Sequence, residues 1–72
     1  MNLSDIRPGC IILNCVFVES VPMLILDVAE LRDNLYSLDY LRLFYISEDG
    51  EIRRRYVYPG DANRYKLLLP SL

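Results

Sequence analysis

Three consecutive arginines, Arg53, Arg54 and Arg55, stand among tyrosines in the stretch SEDGEIRRRYVYPGDANRYKLL. Guanidinium groups neutralise phosphates and aromatic rings stack on bases, so this is the segment whose residue types point to nucleic acid. Its spacing divides it. On a strand, Ile52, Arg54, Tyr56 and Tyr58 share one face, and Arg53, Arg55 and Val57 share the other. A nucleic-acid site built here would use Arg53 and Arg55, joined by Arg42 from a neighbouring strand, with Tyr36, Tyr40 or Tyr58 stacking on bases. Three phosphate contacts would give a salt slope of only about −2 on single strands, so binding of this kind would be weak. The competing reading is a solvated strand. There the arginine stems cover apolar edge surface, Glu48, Asp49, Asp39 or Glu51 offset the charge, and the charges discourage edge-to-edge pairing.

Other chemistry is scarce. The chain has no histidine and only two cysteines, Cys10 and Cys15, which excludes the common zinc, haem and catalytic-dyad arrangements. On one strand the two cysteine Cα atoms would lie about 16 Å apart, well beyond disulfide reach. They are read as reduced thiols, Cys15 a small buried apolar residue and Cys10 half-exposed. No glycine-rich phosphate loop, nucleophile-base pair or metal-ligand spacing can be assembled. The expectation is a non-catalytic protein with no cofactor, no metal and no small-molecule substrate.

These residues must be held by a small fold. Seventy-two residues make one domain, and a 53% hydrophobic share marks a folded chain. The net charge of −2 gives no global attraction to nucleic acid or to an anionic membrane. An opening of MNLSDIRPG without an apolar core, and no uninterrupted apolar run near 18 residues, read as a cytoplasmic protein without membrane association.

Along the chain, Ile6 to Gly9 signals a turn of type II, with Pro8 fixing φ and Gly9 free to take a positive value. Cys10 to Val18 then reads as a strand whose odd residues Ile11, Leu13, Cys15 and Phe17 point inward, because the even row contains Asn14. The loop Glu19 to Pro22 leads to a second strand with Leu24, Leu26 and Val28 on one face, ended by Asp27 and Glu30. Leu24, Val28, Leu31, Leu35 and Leu38 also fit the stripe of an amphipathic helix. Asn34, Ser37 and Asp39, and the run Tyr40 to Ser47 that follows, favour strand, loop and strand instead. Asp49-Gly50 marks a tight hairpin between Tyr40 to Ser47 and Glu51 to Tyr58. Pro59 to Asn63 suits a turn or a single 3₁₀ turn, and Tyr65 to Leu69 is a last short strand.

The order of these features resembles an SH3-like β-barrel: IRPGCIIL opens the first strand, MLILDV forms the second, and a tyrosine-bearing loop, a distal hairpin and a one-turn element precede the last. The resemblance covers nearly the whole chain and is strongest to the small stand-alone SH3-like proteins of tailed bacteriophages. It departs from them at Cys10, where such openings carry an aspartate, and in lacking a glycine before MLILDV. It implies an all-β fold, a five-stranded SH3-like barrel with a 3₁₀ turn before the last strand. It implies little about activity, since such barrels serve as peptide binders, nucleic-acid binders and assembly adaptors. The short first loop argues against polyproline recognition.

The expected function is therefore protein contact, with a partner protein or a second copy. If Leu41, Leu43 and Tyr45 fill the core, Phe44 and Ile46 are left outward beside Arg42 and need cover. Tyr45 and Tyr56 are read as inward. Phe44, Ile46, Tyr36 and Tyr40 are the interface candidates; Arg42, Arg53, Arg55 and Tyr58 are the candidates for the alternative, weak nucleic-acid binding.

Overall fold

A computed structural model describes residues 1–15 and 21–71. Strands β1 (Ile11–Asn14), β2 (Val21–Asp33), β3 (Leu38–Ile46), β4 (Ile52–Val57) and β5 (Tyr65–Leu69) form one antiparallel sheet in the order β4-β3-β2-β1-β5. A 3₁₀ helix over Pro59–Arg64 connects β4 to β5, and a shorter one over Leu3–Asp5 precedes β1. The fold is all-β. No ladder joins the edge strands β4 and β5 among the described residues, so the sheet does not close into a barrel.

Strand β3 sits near the middle of the sheet and its alternation is regular. Leu41, Leu43 and Tyr45 are buried while Tyr40, Arg42, Phe44 and Ile46 face the other way and are half-buried. The turn after it follows from local chemistry. Gly50 takes φ +81°, its amide donates to the Ser47 carbonyl at 2.9 Å, and the Ser47 amide donates to the Glu51 carbonyl at 3.1 Å. At the start of the chain Gly9 takes φ +90°, and the Cys10 amide closes the Pro8-Gly9 turn on the Arg7 carbonyl at 3.1 Å. The core is the concave face of the sheet, built from Cys10, Ile12, Met23, Ile25, Leu41, Leu43, Val57 and Tyr65, with Ile6 folded onto it from the N-terminal segment.

The first two strands differ from expectation in parity. In β1 the even residues Ile12 and Asn14 are buried, with Cys10 ahead of them, and Ile11 and Leu13 are half-buried on the far face. Cys15 is exposed, so the environments assigned to the two cysteines are exchanged. The asparagine that argued for an outward even row is itself a buried polar residue, 3% exposed. The expectations for Phe17, Val18, Glu19 and Ser20 lie outside the described residues.

In β2, Met23 and Ile25 point inward while Leu24 and Leu26 are exposed. The cause of the change further on is a bulge at Leu26. Ile25 pairs with Tyr45 and Asp27 with Phe44, so one extra residue flips the alternation and Val28, opposite Leu43, packs on the core. Leu24, Leu26 and Val28 therefore do not share a face. Neither Asp27 nor Glu30 ends the strand, which is continued by pairing to β3 as far as Asp33. The helical alternative for this region is excluded, and the loop between the two strands is confined to residues 34–37. Asp33 Oδ1 caps that turn, accepting from the amides of Leu35 at 3.0 Å and Tyr36 at 3.4 Å.

Candidate functional site

The convex face carries the most coherent pattern in the molecule. Ile52 pairs with Ile46, Ile46 with Leu24, Leu24 with Ile11, and Ile11 with Leu69. One apolar row thus crosses all five strands. Ile52 is 67% exposed, Leu69 55% and Leu24 38%, while Ile46 and Ile11 are half-buried between them. Burial of the other sheet face fixes this pattern on β1 to β4, where the pleat sends the alternate residues outward, and on β5 a register shift beside Ile11 brings Leu69, rather than Leu68, opposite it.

Beside the row, on β3 and β4, lies a ladder of arginines and rings. Arg54 pairs across from Phe44, and Tyr56 across from Arg42. The Arg42 guanidinium lies 5.4 Å from the centroid of Phe44, and that of Arg54 lies 5.6 Å from Tyr56. Tyr40 stacks on Tyr58 at 4.9 Å and meets Tyr56 tilted at 6.1 Å. Neither Arg42 nor Arg54 has a carboxylate partner among the described residues. Arg42 Nε is buried without a hydrogen-bond partner, which the contact with Phe44 offsets only in part.

The structure thus gathers Phe44, Ile46, Tyr40, Tyr58 and Arg42 on one face, and places Tyr36 apart from them, 72% exposed at the β2-β3 turn. It separates Arg42 from Arg53 and Arg55, which lie on the concave side, so these three do not form one phosphate-binding group. Tyr56 is 43% exposed on the convex face and is not an inward residue. Arg54 and Tyr56 belong to the ladder although sequence reasoning did not select them. The signal was present in the alternation of β4, which already grouped them with Ile52 and Tyr58. The contribution of Ile11 was hidden by the parity of β1, that of Leu24 by the bulge in β2, and that of Leu69 by the register shift between β1 and β5.

Arg53 has a local role. Its guanidinium donates to Asp49 at 2.7 Å and to Glu51 at 3.1 Å, and its Nε donates to Ser47 Oγ at 3.2 Å, bracing the hairpin. Asp49 also accepts from the Ser47 hydroxyl and the Glu51 amide. The Ser47 hydroxyl, then the Arg53 guanidinium and the Glu51 amide, hold the Asp49 carboxyl down at about 2, from 3.8. The sign follows from linkage. A depressed folded-state pKa contributes stability above the unfolded value of 3.8, and that contribution is lost as pH falls towards 2. A carbon-detected NMR titration should find Asp49 titrating at about 2, and Arg53→Gln should move it upward. A midpoint near 3.8 in the folded wild type would contradict the hydrogen-bonded turn.

Arg55 is placed differently. It is partly buried, and its NH1 donates to the Tyr65 hydroxyl at 3.2 Å, the link that spans the open edges β4 and β5. Comparison of the chain with protein-family models, with curated proteins and with solved structures finds no match.

Proposed function

We propose that the chain is a non-catalytic assembly module of SH3-like architecture, of the kind met in tailed phages, which docks on protein through the convex face of its sheet. The antiparallel run β1 to β4, with β5 returning beside β1 after a 3₁₀ turn, supports the SH3-like reading. The observation that carries the function is the apolar row Ile52, Ile46, Leu24, Ile11 and Leu69 across the five strands. Five strands spaced about 4.8 Å apart make a face about 19 Å wide, and the length of β3 extends it to about 30 Å. Covering it would bury on the order of 500 Å² per partner, near the lower limit of specific interfaces. The rings and arginines beside the row are the residue types that dominate such contacts.

A second copy is the occupant to which the row is itself complementary, because a two-fold face-to-face pairing sets the row against itself. Sedimentation velocity over a concentration series should show a monomer-dimer equilibrium in the wild type. Ile52→Asp, at a position already 67% exposed, should fold normally and weaken association at least tenfold. Equal sedimentation of both proteins as monomers at millimolar concentration would remove self-association.

A second reading, weak nucleic-acid binding, is favoured by the ring-stacked Arg42 and Arg54, which lack carboxylate partners among the described residues, beside the Tyr40-Tyr58 stack. It predicts salt-sensitive amide shifts along this ladder on adding single-stranded oligonucleotides, with none at the braced Arg53.

A further inference from the structure

The sheet's failure to close has a consequence on its concave side. Where the β3-β4 hairpin faces the adjoining ends of β1 and β2, a cleft of about 340 Å³ remains, lined by Asn14, Met23, Tyr45, Arg53 and Arg55 with Glu48 and Asp49 at the turn. Its volume lies at the small end of ligand pockets, large enough for a compact organic molecule and too small for a polymer strand.

The charges in the cleft are not equivalent. Arg53 is held by Asp49 and Glu51. Arg55 has no carboxylate partner among the described residues, and the acceptors it reaches are neutral hydroxyls, that of Tyr65 at 3.2 Å and that of Tyr45. A guanidinium carries five N–H donors in a planar fork, so two phenols do not use them all. Arg55 is thus the arginine of the lining whose charge no carboxylate among the described residues offsets.

We infer that this cleft binds the carboxylate of a small organic acid, the carboxylate on the fork of Arg55 and an apolar body against Met23, Val21 and the ring of Tyr45. Planar bidentate pairing with carboxylate is what the Arg fork provides. Two carboxylates, Glu48 and Asp49, stand against the two arginines of the lining, so the cleft is near neutral. A monoanion is therefore preferred over a doubly charged phosphate. The inference is independent of the convex face, which lies on the other side of the sheet.

The test is an amide and Arg Nε NMR titration of the full chain with benzoate, with benzamide as the neutral isostere and inorganic phosphate as the dianionic probe. Benzoate should bind with a dissociation constant on the order of 1 mM, appropriate to so few atoms, and shift Asn14, Met23, Tyr45 and Arg55. Arg55→Gln should weaken it at least tenfold. Arg55→Lys, which keeps the charge without the fork, should weaken it several-fold and carries the test if the glutamine variant does not fold. Ile52→Asp should leave benzoate binding unchanged. Equal binding of benzamide, unchanged affinity in both Arg55 variants, shifts confined to the convex face, or no binding would overturn the inference. Phosphate binding at the same residues as tightly as benzoate would overturn the assignment of a monoanion.

Discussion

Replacing Leu43 by alanine is expected to cost about 3 kcal/mol, within the range for truncating a fully buried leucine. Leu43 is 0% exposed and stands at the middle of β3, opposite Val28 on one side and Arg55 on the other. Its neighbours are held by ladders on both sides, so the cavity cannot collapse easily. A domain of this length has a total stability of roughly 4 to 11 kcal/mol at the usual value per residue. The substitution therefore removes a large fraction of it, and the urea midpoint should fall by about 2 to 3 M at an unchanged slope. Leu35→Ala is the matched control. That leucine is 81% exposed at the β2-β3 turn, and its truncation should change stability by no more than about 0.5 kcal/mol. If the two variants unfolded at the same urea concentration, the concave face would not be the core.

The second large effect is chemical. Cys10 is 0% exposed and Cys15 is exposed, so a thiol reagent should modify Cys15 first and reach Cys10 only through opening of the sheet. Cys10 is fixed on both sides: its amide donates to Arg7, and its carbonyl accepts from the Ile25 amide at 2.9 Å. Exposing it breaks the Pro8-Gly9 turn and the start of the β1-β2 ladder. An opening free energy of about 4 kcal/mol corresponds to a rate ratio on the order of 1,000. Mass spectrometry of the labelled chain should show one rapid modification, abolished in Cys15→Ser, and both cysteines reacting equally in denaturant. Reaction rates within tenfold of each other in the folded protein would show that Ile6 and the N-terminal segment do not seal the core.

The outcome for the cysteines illustrates how parity in a sheet is decided. A strand's side chains alternate strictly, so a single residue's displacement exchanges the two faces. In β1 nearly every residue is apolar, and the choice rested on Asn14, whose burial reverses the inference. In β2 the extra residue at Leu26 changes the parity within the strand. Nothing local distinguishes Leu26 from its apolar neighbours, because a bulge arises from the register of two strands against each other.

The all-β class, the hairpin at Asp49-Gly50, the inward set Leu41, Leu43 and Tyr45, the pairing of faces within β4, the 3₁₀ turn after Pro59 and the span of β5 were legible in the residues alone. Each of these depends on contacts a few residues apart: a glycine admits positive φ, a proline lacks its amide proton, and a regular alternation has one apolar row. The same alternation placed Phe44 and Ile46 beside Arg42 as an outward group. Long-range pairing settled that this group continues through Leu24 and Ile11 to Leu69, that Arg53 is braced by carboxylates while Arg55 crosses to Tyr65, and that the sheet remains open. Those features are set by strands far apart in the chain meeting in one register, and register is a property of the assembled sheet rather than of any one strand.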